Sequence, residues 1–140
     1  MDVFTALGGG FGVALQPGNL LLAFIGCILG TAIGVLPGIG PLNAIALLLP
    51  FCLALRLPPE SALILLAAVY YGSGYGGRIT AILLNMPGEP SAVLTTLDGH
   101  PLAKQGRGSA ALAISGIGSF VGATLSVIAM TFLSVPLAKL

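Results

Sequence analysis

Charged residues are what this sequence lacks most. Asp, Glu, Lys and Arg make up 6% of its 140 residues, whereas soluble domains have about 25%. Residues 3–55 and 108–138 contain none of them. Because a helix needs roughly 20 apolar residues to cross a bilayer core, each segment is long enough for at least one crossing. We therefore predict an all-α polytopic membrane protein whose main solvent is the lipid bilayer.

Basic residues, cysteine and histidine are also scarce, and each shortage excludes a class of function. Five Lys and Arg residues and a net charge of +1 offer no cluster for nucleic-acid phosphates. Cys27 and Cys52 lie in apolar runs without ligand-spaced partners, so we predict neither a disulfide framework nor a metal site. Asp98 and His100 have no nucleophile beside them. We predict a turn at Asp98-Gly99, solvated loop residues around it, no catalytic residue, no enzyme and no cofactor.

Glycine and proline are abundant instead, at 21 and 10 residues, and many of them interrupt apolar segments. Gly26, Gly30 and Gly34 recur at four-residue spacing, which places them on one helix face for close packing against another helix. The sequence Pro-Gly-Ile-Gly-Pro at residues 37–41 then breaks this helix at membrane depth. Lipid cannot satisfy free backbone groups, so the break must face protein or a polar cavity.

The break at residues 37–41 supports two interpretations. A helix that restarts at Pro41 presents free amides and partial positive charge, which can hold an anion without a buried cation. The glycines would let a ligand reach the backbone, and a nearby Asn would add a side-chain amide. The predicted binding residues are Pro37, Gly38, Gly40, Pro41 and Asn43. The alternative is a kink that only shapes the helix bundle.

A second break is predicted at residues 72–78. This stretch satisfies G-x-G-x-x-G, but it lacks the strand and the downstream acidic residue of dinucleotide-binding folds. It also contains Gly-Tyr-Gly, as in potassium-channel filters, although Arg78 places a positive charge beside it. Arg78 either extends to the membrane interface or faces a polar cavity, where it would pair with a carboxylate.

A Pro- and Gly-rich turn at residues 87–91 predicts a re-entrant hairpin, with residues 79–85 entering and residues 91–97 leaving. Oxygen atoms of Asn85, Ser91 and Thr95 near its tip could bind a sodium ion, and ordinary turn chemistry is the alternative. The polar segment 98–107 carries two of the five basic residues and is therefore placed in the cytoplasm.

Three motifs occur in a specific order. They are Gly26-x3-Gly30-x3-Gly34-x2-Pro37-Gly38-Ile39-Gly40-Pro41, then Tyr75-Gly76-Gly77 followed by Ile82-Leu83-Leu84-Asn85-x-Pro87-Gly88, and then Thr95-x2-Asp98-Gly99-x-Pro101 with Gly106 beyond. Together they resemble the large membrane subunit of the tripartite tricarboxylate transporters, the TctA family. Members of that family are several times longer, so residues 1–140 are expected to form one transmembrane domain, the N-terminal fragment or repeat of a longer permease.

The resemblance implies a multi-pass permease of the bacterial inner membrane that takes up citrate or related carboxylates. An ion gradient of Na⁺ or H⁺ would drive it, and its partners would be a small membrane subunit and a periplasmic substrate-binding protein. Carried over to this chain, the transport path includes the break at Pro37 to Pro41, Tyr75 to Gly77 (Tyr75, Gly76 and Gly77), Asn85 to Gly88 (with Pro87), and Thr95 to Asp98. Family members can have Ser in place of Arg78, so this side chain would tune specificity. The alternative is a channel-like or purely structural membrane subunit.

Overall fold

The computed structural model describes the backbone of residues 3–137 and the side chains of residues 5–133. Within this range the chain is helical apart from short connectors and contains no strand, which confirms the all-α prediction. The α-helices are α1 (Val3–Ala14), α2 (Pro17–Gly34), α3 (Pro41–Ala54), α4 (Pro59–Leu84), α5 (Val93–Leu102) and α6 (Gly108–Leu137). A 3₁₀ helix, Pro90–Ala92, precedes α5, and the segment Ala103–Arg107, which is kinked at Gly106 (φ 77°), joins α5 to α6.

Proline and left-handed residues mark the helix boundaries. Pro17, Pro41 and Pro59 occupy the first positions of α2, α3 and α4, where the missing N–H would have no intrahelical partner in any case. Asn85 ends α4 in the left-handed conformation at φ 57°. Its N–H donates to the carbonyl oxygen of Thr80, and this hydrogen bond caps the C-terminal end of α4.

Helices α2 and α4 approach each other backbone to backbone. A Cβ on any of three buried glycines of α2 would collide with a carbonyl oxygen of α4. The pairs are Gly26 with Leu65, Gly30 with Val69 and Gly34 with Ser73. These pairs advance in the same direction along both helices, so α2 and α4 run parallel. The predicted packing face of glycines at four-residue spacing is confirmed.

The glycine-rich part of α4 is the other half of this interface. A Cβ on Gly72 would collide with the carbonyl oxygen of Cys27, and one on Gly76 with that of Thr31. Helix α4 continues through residues 72–78 without interruption, so the predicted second break is wrong. The glycines there allow close helix packing, and the helical backbone removes the extended filter geometry considered for Gly-Tyr-Gly.

After α4 the chain folds back on itself. A Cβ on Gly88 would lie 3.4 Å from the Cα of Gly77, and one on Gly99 would lie 2.7 Å from Cγ1 of Ile82. The connector therefore returns along α4, and α5 then runs in the direction of the end of α4. The entering arm predicted at residues 79–85 is not a separate element, because most of it is the last turn of α4. Insertion of this fold-back into the membrane stays a prediction.

The region around His100 is helical, so the predicted turn at Asp98-Gly99 and the solvated loop are wrong. Gly99 and His100 both belong to α5. Nδ1 of His100 lies 3.0 Å from the carbonyl oxygen of Ile82, one of the last four carbonyls of α4, which lack intrahelical partners. The imidazole thus ties α5 to the end of α4. The cytoplasmic placement of the exposed residues that follow stays a prediction.

Among the described residues, two helical stretches are long and apolar enough to cross a membrane. One is Pro17–Gly34, with a mean hydropathy of 1.7, and the other lies within Pro90–Leu133, where a window of 18 residues has a mean hydropathy of 1.9. By length and composition, each charge-poor end of the chain therefore supplies one candidate membrane-spanning helix. Most of the large apolar side chains on these helices are exposed, which suits contact with lipid or with further protein.

Candidate functional site

A cavity of about 620 Å³ lies between the second half of α4 and α6. This volume is within the range of roughly 300–1,000 Å³ that is typical of small-molecule sites. Helices α4 and α6 supply most of the lining, and the start of α3, the connector and α5 complete it. The lining residues are Tyr70, Tyr71, Gly74, Tyr75 and Arg78 from α4; Ser115, Gly118, Ser119, Gly122, Ala123 and Ser126 from α6; and Pro41, Glu89, Ser91 and Thr95.

Helical spacing explains which residues of α4 line the cavity. Tyr71, Gly74, Tyr75 and Arg78 stand at positions i, i+3, i+4 and i+7, so they share one face of the helix. The glycines that pack on α2 lie on a different face. One glycine-rich stretch therefore contacts α2 on one side and exposes aromatic and charged side chains to a cavity on the other.

Arg78 supplies a positive charge to this cavity. The side chain is half-buried, and Nη1 donates a hydrogen bond to Oγ of Ser119 on α6. Ser119 in turn donates to the carbonyl oxygen of Ser115 at 2.7 Å. The guanidinium thus lines the cavity, and its position relative to the membrane interface stays a prediction. Arginine carries five N–H donors, so a single bond to a hydroxyl leaves donors for a ligand.

Tyr75 spaces α4 from α6. A Cβ on Gly116 would lie 3.4 Å from Cε2 of the Tyr75 ring, and the phenol lies 3.5 Å from the carbonyl oxygen of Leu112. Further along α6, a Cβ on Gly118 or Gly122 would meet nothing within 4 Å. The ring thus holds α6 away from α4, and small residues on α6 leave the space between them open.

Glu89 is the functional candidate that sequence reasoning missed. Its carboxylate lines the cavity and accepts a hydrogen bond from the hydroxyl of Ser91 at 2.6 Å. Sequence reasoning treated it only as part of a turn. An acidic residue inside an otherwise apolar membrane segment is a functional signal in its own right, and it could have identified this side chain.

Five of the predicted site residues meet in this cavity, although they come from separate parts of the sequence. They are Pro41, Tyr75, Arg78, Ser91 and Thr95. The chain brings them together because the connector after α4 returns toward the start of α3, where a Cβ on Gly40 would lie 3.6 Å from the carbonyl oxygen of Gly88. The predicted substrate and ion positions are therefore neighbours in space.

The other predicted residues lie outside the cavity lining. Pro37, Gly38, Asn43, Asn85 and Pro87 are exposed. Gly76 packs on α2, while Gly40, Gly77 and Gly88 lie along the returning connector. Gly38 adopts a φ of 87°, a conformation that favours glycine. Among the described residues, no atom would lie within 4 Å of a Cβ on Gly38. The role of Gly38 in transport stays a prediction.

The start of α3 offers fewer free amides than expected for an anion site. Pro41 has no N–H, and the amides of Asn43 and Ala44 both donate to the carbonyl oxygen of Gly40, at 3.1 and 3.2 Å. In the part of the chain that the structure describes, the first turn is thus largely satisfied by its own backbone. The charged and hydroxyl side chains of the cavity are the stronger candidates for contact with an anion.

Cysteine and acidic residues show no arrangement for a metal. Cys27 and Cys52 are both free thiols. Among residues 5–133, no three His, Cys, Asp or Glu side chains come together in a group that could hold a metal ion. The prediction of a site without a metal or cofactor stays a prediction.

Apolar helices of membrane-spanning length are typical of a helical membrane protein, and here they lie beside a cavity that bears an arginine. The chain belongs to the tripartite tricarboxylate transporter TctA family, whose family model matches residues 20–140. This match confirms the resemblance drawn from the three sequence motifs.

Two curated relatives are similar to the chain. An uncharacterized 52.8 kDa protein of Agrobacterium vitis, described as lying in the TAR-I ttuC′ 3′ region, is 44% identical over 99% of this chain. An uncharacterized protein of Methanocaldococcus jannaschii is 35% identical over 82% of it. The chain spans only 27% and 28% of the lengths of these relatives. No solved structure matches the chain.

Proposed function

We propose that the chain is part of a permease that takes up tricarboxylates or related carboxylates, and that the cavity between α4 and α6 binds the carboxylate. Membership of the TctA family supports the substrate class. The observation that carries the site is the guanidinium of Arg78, held inside a cavity of a strongly apolar chain. An ionised side chain in such surroundings is costly, and it is usually retained for a functional reason.

Arg78 would bind the substrate through its planar fork of N–H groups, which matches the two oxygens of a carboxylate. Ser119 orients the guanidinium by accepting one hydrogen bond. The hydroxyls of Ser115 and Ser126 add donors along α6 for a second carboxyl group. Because apolar helices surround the cavity, the attraction between guanidinium and carboxylate is stronger there than in water.

The complete transporter would be a multi-pass protein of the bacterial inner membrane. It would work with a small membrane subunit and a periplasmic substrate-binding protein, with uptake driven by a gradient of Na⁺ or H⁺. It would move its substrate without chemical change, so we expect no enzymatic activity. The exposed residues around the first break remain candidates for a part of the path outside the cavity.

Exchange of labelled citrate across proteoliposomes, with the complete transporter reconstituted, tests this proposal. Arg78→Ala should raise the citrate concentration for half-maximal exchange by about tenfold or more, because a charge-assisted pair contributes roughly 1.5–3 kcal/mol. Arg78→Ser should change the preference among carboxylates more than the amount of protein in the membrane. Arg107→Ala is the matched control, because Arg107 is exposed in the turn before α6.

Unchanged half-saturation in Arg78→Ala would remove the cavity as the carboxylate site. Saturable exchange also distinguishes a carrier from a channel-like subunit. Ungated cation conductance without citrate exchange would support the channel-like alternative.

A further inference from the structure

The cavity holds a carboxylate as well as a guanidinium. A Cβ on Gly74 would lie 3.8 Å from Oε1 of Glu89. Gly74 and Arg78 stand four residues apart on α4, a separation of about one helical turn or 6 Å along the axis. The acidic oxygen thus lies about one turn from the base of the arginine, and both side chains face the same space.

The carboxylate of Glu89 is not used by the backbone around it. Glu89 stands directly before the 3₁₀ helix Pro90–Ala92, a position from which an acidic side chain commonly accepts a backbone N–H. Here it makes no such capping bond. Its recorded partner is the hydroxyl of Ser91, which lines the cavity too. A carboxylate that lines the cavity and is joined to a hydroxyl presents oxygen ligands to a small cation.

We propose that Glu89, together with Ser91, binds the cation that drives uptake, and that this cation and the carboxylate at Arg78 bind cooperatively through charge. This proposal rests on the proposed function. The cation is H⁺ or Na⁺, since both neutralise a carboxylate. Thr95, which lines the same cavity, supplies a further hydroxyl oxygen close to Ser91 along the chain.

Charge balance provides the coupling. The guanidinium of Arg78 and the carboxylate of Glu89 carry opposite charges that balance. Each carboxylate of a bound substrate then adds a negative charge beside apolar helices, where charge is expensive. A cation at Glu89 offsets one of these charges. Each ligand therefore strengthens the binding of the other by the same factor, as linkage requires.

Among the elements that line the cavity, only α4 brings other titratable side chains toward Glu89. Besides Arg78, α4 contributes Tyr70, Tyr71 and Tyr75, while α6, α5 and the start of α3 contribute serine, threonine, glycine, alanine and proline. A dependence of coupling on Glu89 can therefore be separated from Glu60 and Asp98, the other acidic residues of the described range, neither of which lines this cavity.

The test compares two activities of the complete reconstituted transporter, which are accumulation of citrate driven by an ion gradient and exchange of citrate without one. Glu89→Gln fixes the side chain in a neutral form. Accumulation should fall about tenfold or more, a common size for coupling between two sites. Exchange should persist and should no longer depend on the concentration of the driving cation, because the neutral side chain takes the place of the cation-bound carboxylate. Glu60→Gln, at an exposed position in the first turn of α4, is the matched control.

Ser91→Ala provides an independent measurement. It should raise the cation concentration for half-maximal uptake by about threefold to tenfold, as expected for one lost hydrogen bond to a charged group. The exchange rate at saturating cation should not change. Varying Na⁺ at fixed pH, and pH at fixed Na⁺, identifies which cation the shift concerns.

Three results would overturn the role of Glu89. They are normal accumulation in Glu89→Gln, loss of exchange together with accumulation at a normal protein level, and an unchanged cation dependence in Ser91→Ala. The last remains informative if Glu89→Gln does not reach the membrane. An unmodified transporter that exchanges no carboxylate would instead refute the proposed function, and this inference with it.

Discussion

Helices α2 and α6 both contact α4, and the faces that they turn toward it look alike in sequence but pack differently. Small residues at four-residue spacing occur on both neighbours, as Gly26, Gly30 and Gly34 on α2 and as Gly118 and Gly122 on α6. Where α2 packs on α4, the glycines of α2 touch the backbone of α4 and leave no room for a Cβ. Against α6, the same spacing borders a cavity of about 620 Å³.

The difference lies in what α4 presents to each neighbour. Toward α2 it presents Gly72 and Gly76, so the two backbones approach closely. Toward α6 it presents Tyr75 and Arg78, whose long side chains reach α6 and keep its backbone away. A stripe of small residues therefore permits close packing but does not cause it. The facing side chains decide between a closed seam and an open site.

The largest expected effect is on the closed seam. Gly30→Leu places a side chain where the carbonyl oxygen and Cα of Val69 already lie. Because neither is the end of a flexible side chain, we expect a loss of about 3 kcal/mol in the free energy of unfolding. Thermal unfolding of the purified protein in detergent measures it. Gly18→Leu, where a Cβ would meet nothing within 4 Å, is the control, and equal melting temperatures for the two variants would contradict a closed seam.

The second prediction concerns the open side. Gly118→Leu should fill part of the cavity with little change in stability, about 0.5 kcal/mol or less, because a Cβ there meets open space. Citrate exchange should nevertheless weaken by about tenfold or more, equivalent to roughly 1.4 kcal/mol of lost binding. If Gly118→Leu unfolds the protein as Gly30→Leu does, the contrast between the two faces is wrong.

The third prediction concerns Tyr75 and tests what keeps the cavity open. Tyr75→Ala removes the ring beside Gly116 and should destabilise the contact between α4 and α6 by about 1–2 kcal/mol. Amide exchange along α6 should then become faster. Tyr75→Phe retains the ring and loses only a long hydroxyl contact at 3.5 Å, so it should behave like the unmodified protein. Equal rates of amide exchange in the unmodified protein, Tyr75→Ala and Tyr75→Phe would show that the ring does not support α6.

Much of the fold could be predicted from local sequence. Lack of charge predicted membrane helices, and the spacing of Gly26, Gly30 and Gly34 predicted their packing face. The same reasoning failed at residues 72–78, because a glycine-rich stretch is typical of a loop in water and of a close helix contact in a bundle. Only the partner helix distinguishes these two meanings, and that partner lies about forty residues earlier in the chain.

The candidate site depends even more on distant contacts. Arg78 contacts Ser119 across the cavity, 41 residues away. Glu89 joins the cavity because the connector returns along α4. The Pro and Gly residues at 87–91 predicted that the chain reverses, but not the helix along which it returns. His100 was similarly missed, since its partner is a carbonyl freed by the end of another helix.

The closed seam between α2 and α4 also bears on how such proteins can diverge. Enlarging a residue at Gly30 or Gly34 would be removed by selection through loss of folding, whatever the solute. Replacements along α6 at the cavity alter its shape while the scaffold persists. On the proposed function, lineages of this family would acquire new substrate preferences through α6 while inheriting the glycine-lined pair unchanged.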